Sequence, residues 1–234
     1  MEFVSVINGV LQRQGSCDSS RIEGFFTGFK ALNELIPPNG LSSGAIHEVL
    51  SQRGGRSFAL LVAAAALKDL RAKTVVWSDS KRELYPPALS TSLSASRLYM
   101  LQIGNAKDEL WALSECLRCK GIGAVVASPQ RLSRIEARKL QLAAERGGGV
   151  GIILRSERDV SAPYAAATRW LVQPARGDES VRRWNVQLIH GHGGQIGKSV
   201  LLEIPRDSFN LDYVRAIDPL ANRPTAAQVT RASA

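Results

Sequence analysis

The sequence predicts an α/β protein with three layers, in which helices cover both faces of a mainly parallel β-sheet. From about residue 27, short β-rich segments alternate with helix-like segments, which is typical of parallel strands joined by crossover helices. Near the C-terminus, strand-like segments follow one another without helices, which predicts antiparallel strands at one edge of the sheet. The 234 residues, 44% of them hydrophobic, suit one compact domain with short appendages.

The predicted elements divide the chain into an N-terminal arm (1–24), a core (25–205) and a C-terminal extension (206–234) whose end is expected to be flexible. In the arm, apolar residues recur at near-helical spacing. The helix predicted over 133–146 has a capping-box pattern, in which Ser133 precedes Glu136, and we expect it to end at Gly147. The strand-like segments are 45–50, 74–78, 97–102, 124–127, 150–155, 169–173, 183–190 and 199–204, and the other two helix-like segments are 59–70 and 108–119.

The chain is strongly basic, with a formal net charge of +9 and a pI of about 9.9. Such a charge favours polyanionic partners such as DNA, although it also serves solubility. No apolar run is long enough to cross a bilayer, and no basic segment precedes the apolar residues at the N-terminus. We therefore expect a cytoplasmic protein that does not enter a membrane.

The three cysteines cannot form a disulfide framework. Cys116 and Cys119 form a C-x-x-C pair, but a structural zinc site needs four ligands and no second pair lies elsewhere in the chain. The pair also falls within a helical apolar pattern, where cysteine serves as a small hydrophobic residue. We therefore expect no metal site.

The segment 27–50 resembles the part of RecA-like proteins that leads into the nucleotide-binding P-loop. A working P-loop has the form G-x-x-x-x-G-K-[ST], in which the lysine binds the terminal phosphates and the hydroxyl supports Mg²⁺. Here the loop is one residue short, and Gly54, Gly55, Arg56 and Ser57 occupy its end. Arginine is a poor substitute for the compact lysine charge. The glycines and the helix that follows could still bind an anion weakly, but we interpret the loop as vestigial.

Two further positions depart from the nucleotide-binding pattern. The segment 123–128 resembles the strand that normally ends in a Mg²⁺-supporting aspartate, and Ala127 stands in that place. Asp79 lies next to the place of the catalytic glutamate but has a shorter side chain. His190 and His192 stand where RecA filaments place two lysines. The resemblance therefore implies a pseudo-ATPase that uses no cofactor.

Several further segments carry a more specific resemblance. They are 84–89, 110–113, 117–119, 140–145 and 168–170, with Trp184 and the Gly193-Gly194 turn. Through these residues the sequence resembles the ImuA family, within the RecA superfamily, over about 27–204. The resemblance implies a non-catalytic accessory role in damage-induced (SOS) translesion DNA synthesis, in which the chain binds an ImuB-like inactive Y-family polymerase. RecA and non-specifically bound DNA are further candidate partners.

Two sets of residues are candidates for these contacts. Segments after the central strands face DNA in RecA-like folds, and the candidates for phosphate contact there are Arg131, Arg134, Arg138, Arg155 and Arg158. A solvated helix face explains the same arginines equally well. Candidate partner-binding residues are Phe3, Val4 and Ile7 in the arm and Phe209, Tyr213 and Val214 in the C-terminal extension. The arm could instead cover its own core, and the extension could be unstructured.

Two other functions fit parts of the pattern. A SulA-type cell-division inhibitor has a RecA-like fold without ATPase motifs and binds the tubulin-like division protein, but such chains are usually shorter. A divergent recombination ATPase would have to bind nucleotide despite Arg56 and Ala127.

Overall fold

The computed structural model describes residues 4–7, 10–13, 24–69, 74–80, 83–85, 94–162, 164–206 and 215–217. Its helices are α1 (Lys30–Asn33), α2 (Gly55–Asp69), α3 (Ala106–Arg118) and α4 (Arg134–Gly147), with 3₁₀ turns at Ala95–Arg97 and Glu157–Ser161. Its strands are β1 (Val4–Ile7), β2 (Val10–Arg13), β3 (Gly24–Phe25), β4 (Leu41–Ser42), β5 (Ile46–Leu50), β6 (Thr74–Ser78), β7 (Leu98–Leu101), β8 (Ile122–Ala127), β9 (Val150–Arg155), β10 (Thr168–Ala175), β11 (Val181–Gly191), β12 (Ser199–Pro205) and β13 (Arg215–Ile217).

Nine of these strands form one sheet in the order β13-β12-β11-β10-β5-β9-β8-β6-β7. The strands from β10 to β7 in this order pair in parallel. The strands β11, β12 and β13 add to β10 in antiparallel fashion at one edge. The predicted fold class is confirmed, because the sheet is mainly parallel, helices lie on both faces and the antiparallel strands come last.

The face of the sheet that α2 covers is almost wholly apolar. The helix is rich in alanine and leucine around its whole circumference, and nearly all of it is buried between the sheet and the N-terminal part of the core. Phe58 at its start packs against Trp170 of β10, with 5.6 Å between the ring centroids. This face therefore contributes most of the hydrophobic core.

A chain of three polar side chains is buried on the same face. The indole Nε1 of Trp170 donates to the hydroxyl of Thr168 (2.9 Å), which lies 2.7 Å from Nδ1 of His47. Nε2 of His47 lies 2.9 Å from the carbonyl oxygen of Ser42 and must carry the proton, since a carbonyl only accepts. Thr168 therefore donates to Nδ1, and the geometry fits a neutral imidazole. Burial lowers the pKa of His47 to about 4.

On the opposite face, α3 and α4 lie side by side and bury one stripe each. The buried residues on these two helices are Glu109, Leu113 and Leu117 on α3, and Ala137, Leu140, Ala143 and Ala144 on α4. The capping box predicted at the start of α4 is confirmed: Ser133 accepts from the backbone of Glu136, and Glu136 accepts from Ser133. The helix ends at Gly147, and Gly148 follows in the left-handed conformation (φ 79°).

The structure corrects one expectation about the N-terminal arm and adds a strand to the C-terminal extension. The N-terminal arm contains an antiparallel pair, β1 and β2, in place of the helical spacing predicted there. Asn8 and Gly9, which connect the two strands, are the strongest sequence signal for a two-residue hairpin, and this signal outweighs apolar spacing over so few residues. The C-terminal extension contributes β13, which pairs with β12. A three-residue edge strand is too short to leave a periodic pattern.

Among the residues that the structure describes, no helix combines the length and apolar character needed to cross a bilayer.

Candidate functional site

The loop after β5 stands where a RecA-like protein holds the nucleotide phosphates. The backbone N–H of Ser51 donates to the carbonyl of Arg155 (3.0 Å), which continues the pairing of β5 with β9. The hydroxyl of Ser51 donates to the carbonyl of Arg53 (2.6 Å), and α2 begins when the N–H of Phe58 bonds to the carbonyl of Gly54 (3.1 Å). The connection from strand to helix is therefore short and internally bonded.

Gly54 is required in this loop for two reasons. Its φ is +90°, a conformation that favours glycine. A β-carbon at this position would also lie 2.6 Å from Nε1 of Trp184, a buried side chain of β11. The loop backbone is thus packed directly against an indole ring from the antiparallel part of the sheet.

Arg56, in the place of the P-loop lysine, forms an ion pair with Glu83. Both side chains are about half exposed, so the pair contributes little to stability. The pair places the carboxylate of Glu83 next to the guanidinium of Arg56, which is the cation that a phosphate would need. The neighbouring Gln52 donates a hydrogen bond to Glu157, which ties the loop to the 3₁₀ turn after β9.

Ala127, in the place of the Mg²⁺-supporting aspartate, and Asp79, next to the place of the catalytic glutamate, both have structural roles. Ala127 ends β8 and is completely buried in the core beneath α3 and α4. The carboxylate of Asp79 accepts hydrogen bonds from the backbone N–H groups of Glu83 (3.1 Å) and Leu84 (2.8 Å), so both of its oxygens hold the chain after β6. The buried Glu109 of α3 accepts from the hydroxyls of Ser78 (2.6 Å) and Ser80 (3.0 Å).

These elements line a continuous groove along the carboxyl ends of the parallel strands, where open α/β sheets bind their ligands. Three adjoining pockets make up the groove, and Ser128 and Leu154 line all three. The charged residues along it are of both signs: Arg53, Arg56, Glu83, Asp79 and Glu109 toward β6, and Arg131, Arg155 and Asp159 toward β9. The groove therefore does not present the uniform positive charge of a nucleotide-phosphate site.

The predicted phosphate-contacting arginines separate by exposure, and four of the five are exposed. Arg131 lines the groove, and Arg134 and Arg158 lie exposed beside it. These three form no ion pair with any residue that the structure describes, and Arg53, which sequence reasoning missed, shares this property. Arg138 is exposed on α4 and lies 3.6 Å from Glu145.

Arg155 is less exposed than the other predicted phosphate-contacting arginines, and its contact with phosphate stays a prediction. Its side chain is only 10% exposed, and its guanidinium lies 3.4 Å from Glu48 and 3.5 Å from Asp159. A buried carboxylate attracts the nearest cation inward, because an unpaired charge there would be costly.

Glu48 is the centre of a buried network that sequence reasoning did not foresee. Its Oε2 accepts from Nε of Arg169 (2.9 Å), and the same guanidinium donates to the carbonyls of Val160 (2.8 Å) and Asp159 (2.9 Å). The guanidinium also lies 4.2 Å from the ring centroid of Tyr164. Arg169 thereby holds the loop between β9 and β10 against the sheet.

His190 extends this network toward the turn after β11. The hydroxyl of Tyr164 lies 3.0 Å from Nδ1 of His190, whose ring centroid is 5.4 Å from that of His192. Burial, His192 and Arg169 together lower the pKa of His190. Within the described part of the chain, no group of three or more His, Cys, Asp or Glu side chains is arranged to hold a metal ion.

The candidate partner-binding residues lie at the ends of the chain. Val4 and Ile7 belong to β1, whose backbone alone is described. Phe3, Phe209, Tyr213 and Val214 lie outside the described residues.

The fold and the site define the class of protein: a RecA-like α/β core with an altered nucleotide loop. Comparison with curated proteins finds similar chains. Protein ImuA from two strains of Caulobacter vibrioides is 28% identical to this chain over 224 residues, which cover 86% of this chain and 91% of ImuA. These matches confirm the predicted resemblance to ImuA. No protein-family profile matches the sequence.

Proposed function

We propose that this chain is a non-catalytic accessory protein of damage-induced translesion DNA synthesis. It acts by binding an ImuB-like inactive Y-family polymerase, and RecA and DNA are further proposed contacts. The proposal gives the chain a role in assembling and positioning a polymerase, with no reaction of its own.

The state of the nucleotide loop carries the non-catalytic part of the proposal. Arg56 replaces the phosphate-binding lysine and pairs with Glu83, while a buried methyl group, Ala127, replaces the aspartate that would support Mg²⁺. Both carboxylate oxygens of Asp79 accept hydrogen bonds from backbone N–H groups. These departures remove the lysine and the aspartate on which a working P-loop site depends for phosphate and Mg²⁺ binding.

The likeness to ImuA over most of both chains supports the proposed pathway and disfavours the cell-division inhibitor. The decisive measurement is damage-induced mutation frequency in cells that lack this gene, with cell length scored in the same cultures. We expect induced mutagenesis to collapse while the division pause after damage stays normal. Persistent mutagenesis together with loss of the pause would instead identify a SulA-type division inhibitor.

Nucleotide binding is tested separately by thermal unfolding with and without Mg²⁺-ATP. A ligand at 100 times its Kd would raise the free energy of unfolding by about 2.7 kcal/mol. We expect no shift in the unfolding temperature. A Mg²⁺-dependent increase would contradict the proposal and favour a divergent ATPase.

The exposed arginines near the groove support a weak, non-specific contact with DNA. Arg53, Arg131, Arg134 and Arg158 are exposed and form no ion pair with the described residues. Fluorescence anisotropy with a single-stranded oligonucleotide should show binding that weakens as salt rises. The Arg131→Gln substitution should reduce the salt dependence by about one counterion, whereas Lys68→Gln, at the far end of α2, should leave it unchanged. Salt-independent binding, or equal effects of both substitutions, would argue against this contact.

A further inference from the structure

The outer surface formed by α3 and α4 carries three exposed apolar side chains. Trp111 is 66% exposed, Ile135 is 71% exposed and Leu142 is 39% exposed. Single exposed apolar residues are common, but several grouped together on one surface suggest an interaction site. The question is whether the two helices bring these three together.

Helix geometry points all three side chains away from the sheet. Gln141 of α4 bonds to the N–H of Ile46, so its flank faces β5. At about 100° per residue, Ile135 and Leu142 lie roughly opposite the buried Ala144 on the circumference of α4, so they point to the outer side. Trp111 lies about 200° around α3 from Glu109, whose carboxylate bonds to Ser78 and Ser80, so it points away from the sheet.

The two helices run side by side on one face of the sheet, and they also touch. Leu113 and Leu117 of α3 share one buried cluster with Leu140 and Ala144 of α4. A β-carbon on Gly147, at the end of α4, would meet the carbonyl of Leu117 at 1.9 Å. The apolar side chains Trp111, Ile135 and Leu142 therefore emerge from one surface, which we call the α3–α4 outer surface.

Exposed cations outside close ion pairs lie on the same two helices. Hydrogen bonds from Ser133 lower the pKa of the Glu136 carboxyl, and Lys139 among these cations is near enough to add to that effect. Lys107, Arg134, Lys139 and Arg146 are exposed and form no ion pair with any of the described residues.

The exposed carboxylates of the same helices are already in use. Glu136 belongs to the capping box, Glu115 pairs with Arg118, and Asp108 accepts from Asn105. Glu145 lies near Arg138 and accepts from Gln141. The surface therefore combines exposed apolar side chains with an excess of positive charge.

We propose that the α3–α4 outer surface docks an acidic amphipathic segment of a partner polypeptide. Aliphatic or aromatic side chains of that segment would contact Trp111, Ile135 and Leu142, and its aspartates and glutamates would meet Lys107, Lys139 and Arg146. Two adjacent parallel helices offer a shallow groove suited to a helical segment with apolar residues at i, i+3, i+4 and i+7. This inference does not depend on the function proposed above.

The test begins with an unbiased selection of displayed 20-residue peptides on the full chain. We expect the selected peptides to be rich in Asp and Glu, with Leu, Phe or Trp at helical spacing. The Kd of a selected peptide is then measured by titration calorimetry. Trp111→Ala, Ile135→Ser and Lys139→Glu should each weaken it at least tenfold, and raised salt should weaken it further.

Two matched controls separate this surface from others. Ile196→Ser removes an equally exposed apolar residue from the turn after β11, and Arg131→Glu makes the same charge reversal in the groove. Both should change the Kd less than twofold. Circular dichroism and thermal unfolding of every variant verify that the fold is retained.

Several results would overturn the proposal. Selected peptides without acidic character, or peptide binding that Trp111→Ala leaves unchanged, would do so. A dimer in light scattering that Trp111→Ala dissociates would assign the surface to a second copy of the chain. Loss of oligonucleotide binding in the Trp111→Ala variant, with peptide binding intact, would assign it to nucleic acid.

Discussion

The helices on the two faces of the central sheet differ in composition and in how much of their surface is buried. On one face, α2 is buried around nearly its whole circumference and carries Arg56 and Lys68 only near its ends. On the other face, α3 and α4 each bury a single stripe and expose Trp111, Ile135 and a set of cations to solvent. Both layers are helical, and both pack on the same strands.

The difference indicates that the α2 face contributes most to stability, whereas the outer face of α3 and α4 remains available for contacts. A helix that is apolar all round must be enclosed, whereas an amphipathic helix leaves its outer face unconstrained by folding. Surface residues on such a face can change without loss of stability, so charge and apolar groups there are open to functional use. The two faces should therefore respond very differently to substitution.

The largest expected difference in the free energy of unfolding is between substitutions at Phe58 and at Ile135. Phe58→Ala would leave a cavity beside Trp170 in the α2 face and should lower the free energy of unfolding by about 3–5 kcal/mol. Ile135→Ala on the outer surface should change it by less than about 0.5 kcal/mol. Urea unfolding measures both. Similar losses for the two variants would mean that the faces are not distinct.

The next largest loss of stability is expected from breaking the buried ion pair between Glu48 and Arg169. Glu48→Gln would leave the guanidinium of Arg169 buried without its carboxylate, at a cost of about 3 kcal/mol. The double variant Glu48→Gln with Arg169→Gln should recover part of this loss, because the buried Arg169 charge is removed and Arg155 keeps its contact with Asp159. A double variant whose loss equals the sum of the single losses would show that the two side chains do not interact.

His47 predicts a pH dependence for the α2 face. Its pKa is lowered to about 4 in the folded protein, so the unfolded chain binds the proton more tightly. Stability should therefore be complete above about pH 6.5 and fall as the pH drops toward 4, by roughly 2–3 kcal/mol at about 1.4 kcal/mol per pKa unit. Urea unfolding at pH 7 and pH 4.5 measures the change. The same fall in a His47→Gln variant would assign it to other groups.

The smallest expected effect concerns the nucleotide loop. Gly54→Ala would both strain the backbone and push a methyl group against Trp184, and we expect a loss of about 2 kcal/mol. Gly197 has a similar φ of +85° but open space around it, so Gly197→Ala should cost only the strain, about 1 kcal/mol. Thermal unfolding of the two variants isolates the Trp184 contact. Equal losses of stability in the two variants would show that the contact with Trp184 adds nothing to the cost of Gly54→Ala.

Local patterns predicted most of the framework. The bounds of β6 and β9 agree with the predicted segments, and the capping box of α4 lies at Ser133 as expected. Both signals are short-range, since an apolar strand or a cap is decided within a few residues. The hairpin of β1 and β2 was missed because its turn signal was not weighed against the apolar spacing.

The candidate site was predicted less completely, because its contacts join distant parts of the chain. Arg155 and Arg169 reach Glu48 across 107 and 121 residues. No local pattern distinguishes these buried arginines from the exposed Arg131 and Arg158. Arg53 was missed for the same reason, since only the fold brings its loop to the groove.

The sequence by itself determined the α/β architecture and showed that Arg56 and Ala127 stand where nucleotide-binding RecA-like proteins have a lysine and an aspartate. Alternating strand and helix patterns act locally, and the absence of a lysine or an aspartate is visible in the residue itself. Only the tertiary structure decided which charges are paired. It turned Arg155 inward toward Glu48 and set Arg56 against Glu83. The physical reason is that burial and ion pairing depend on which segments meet in space.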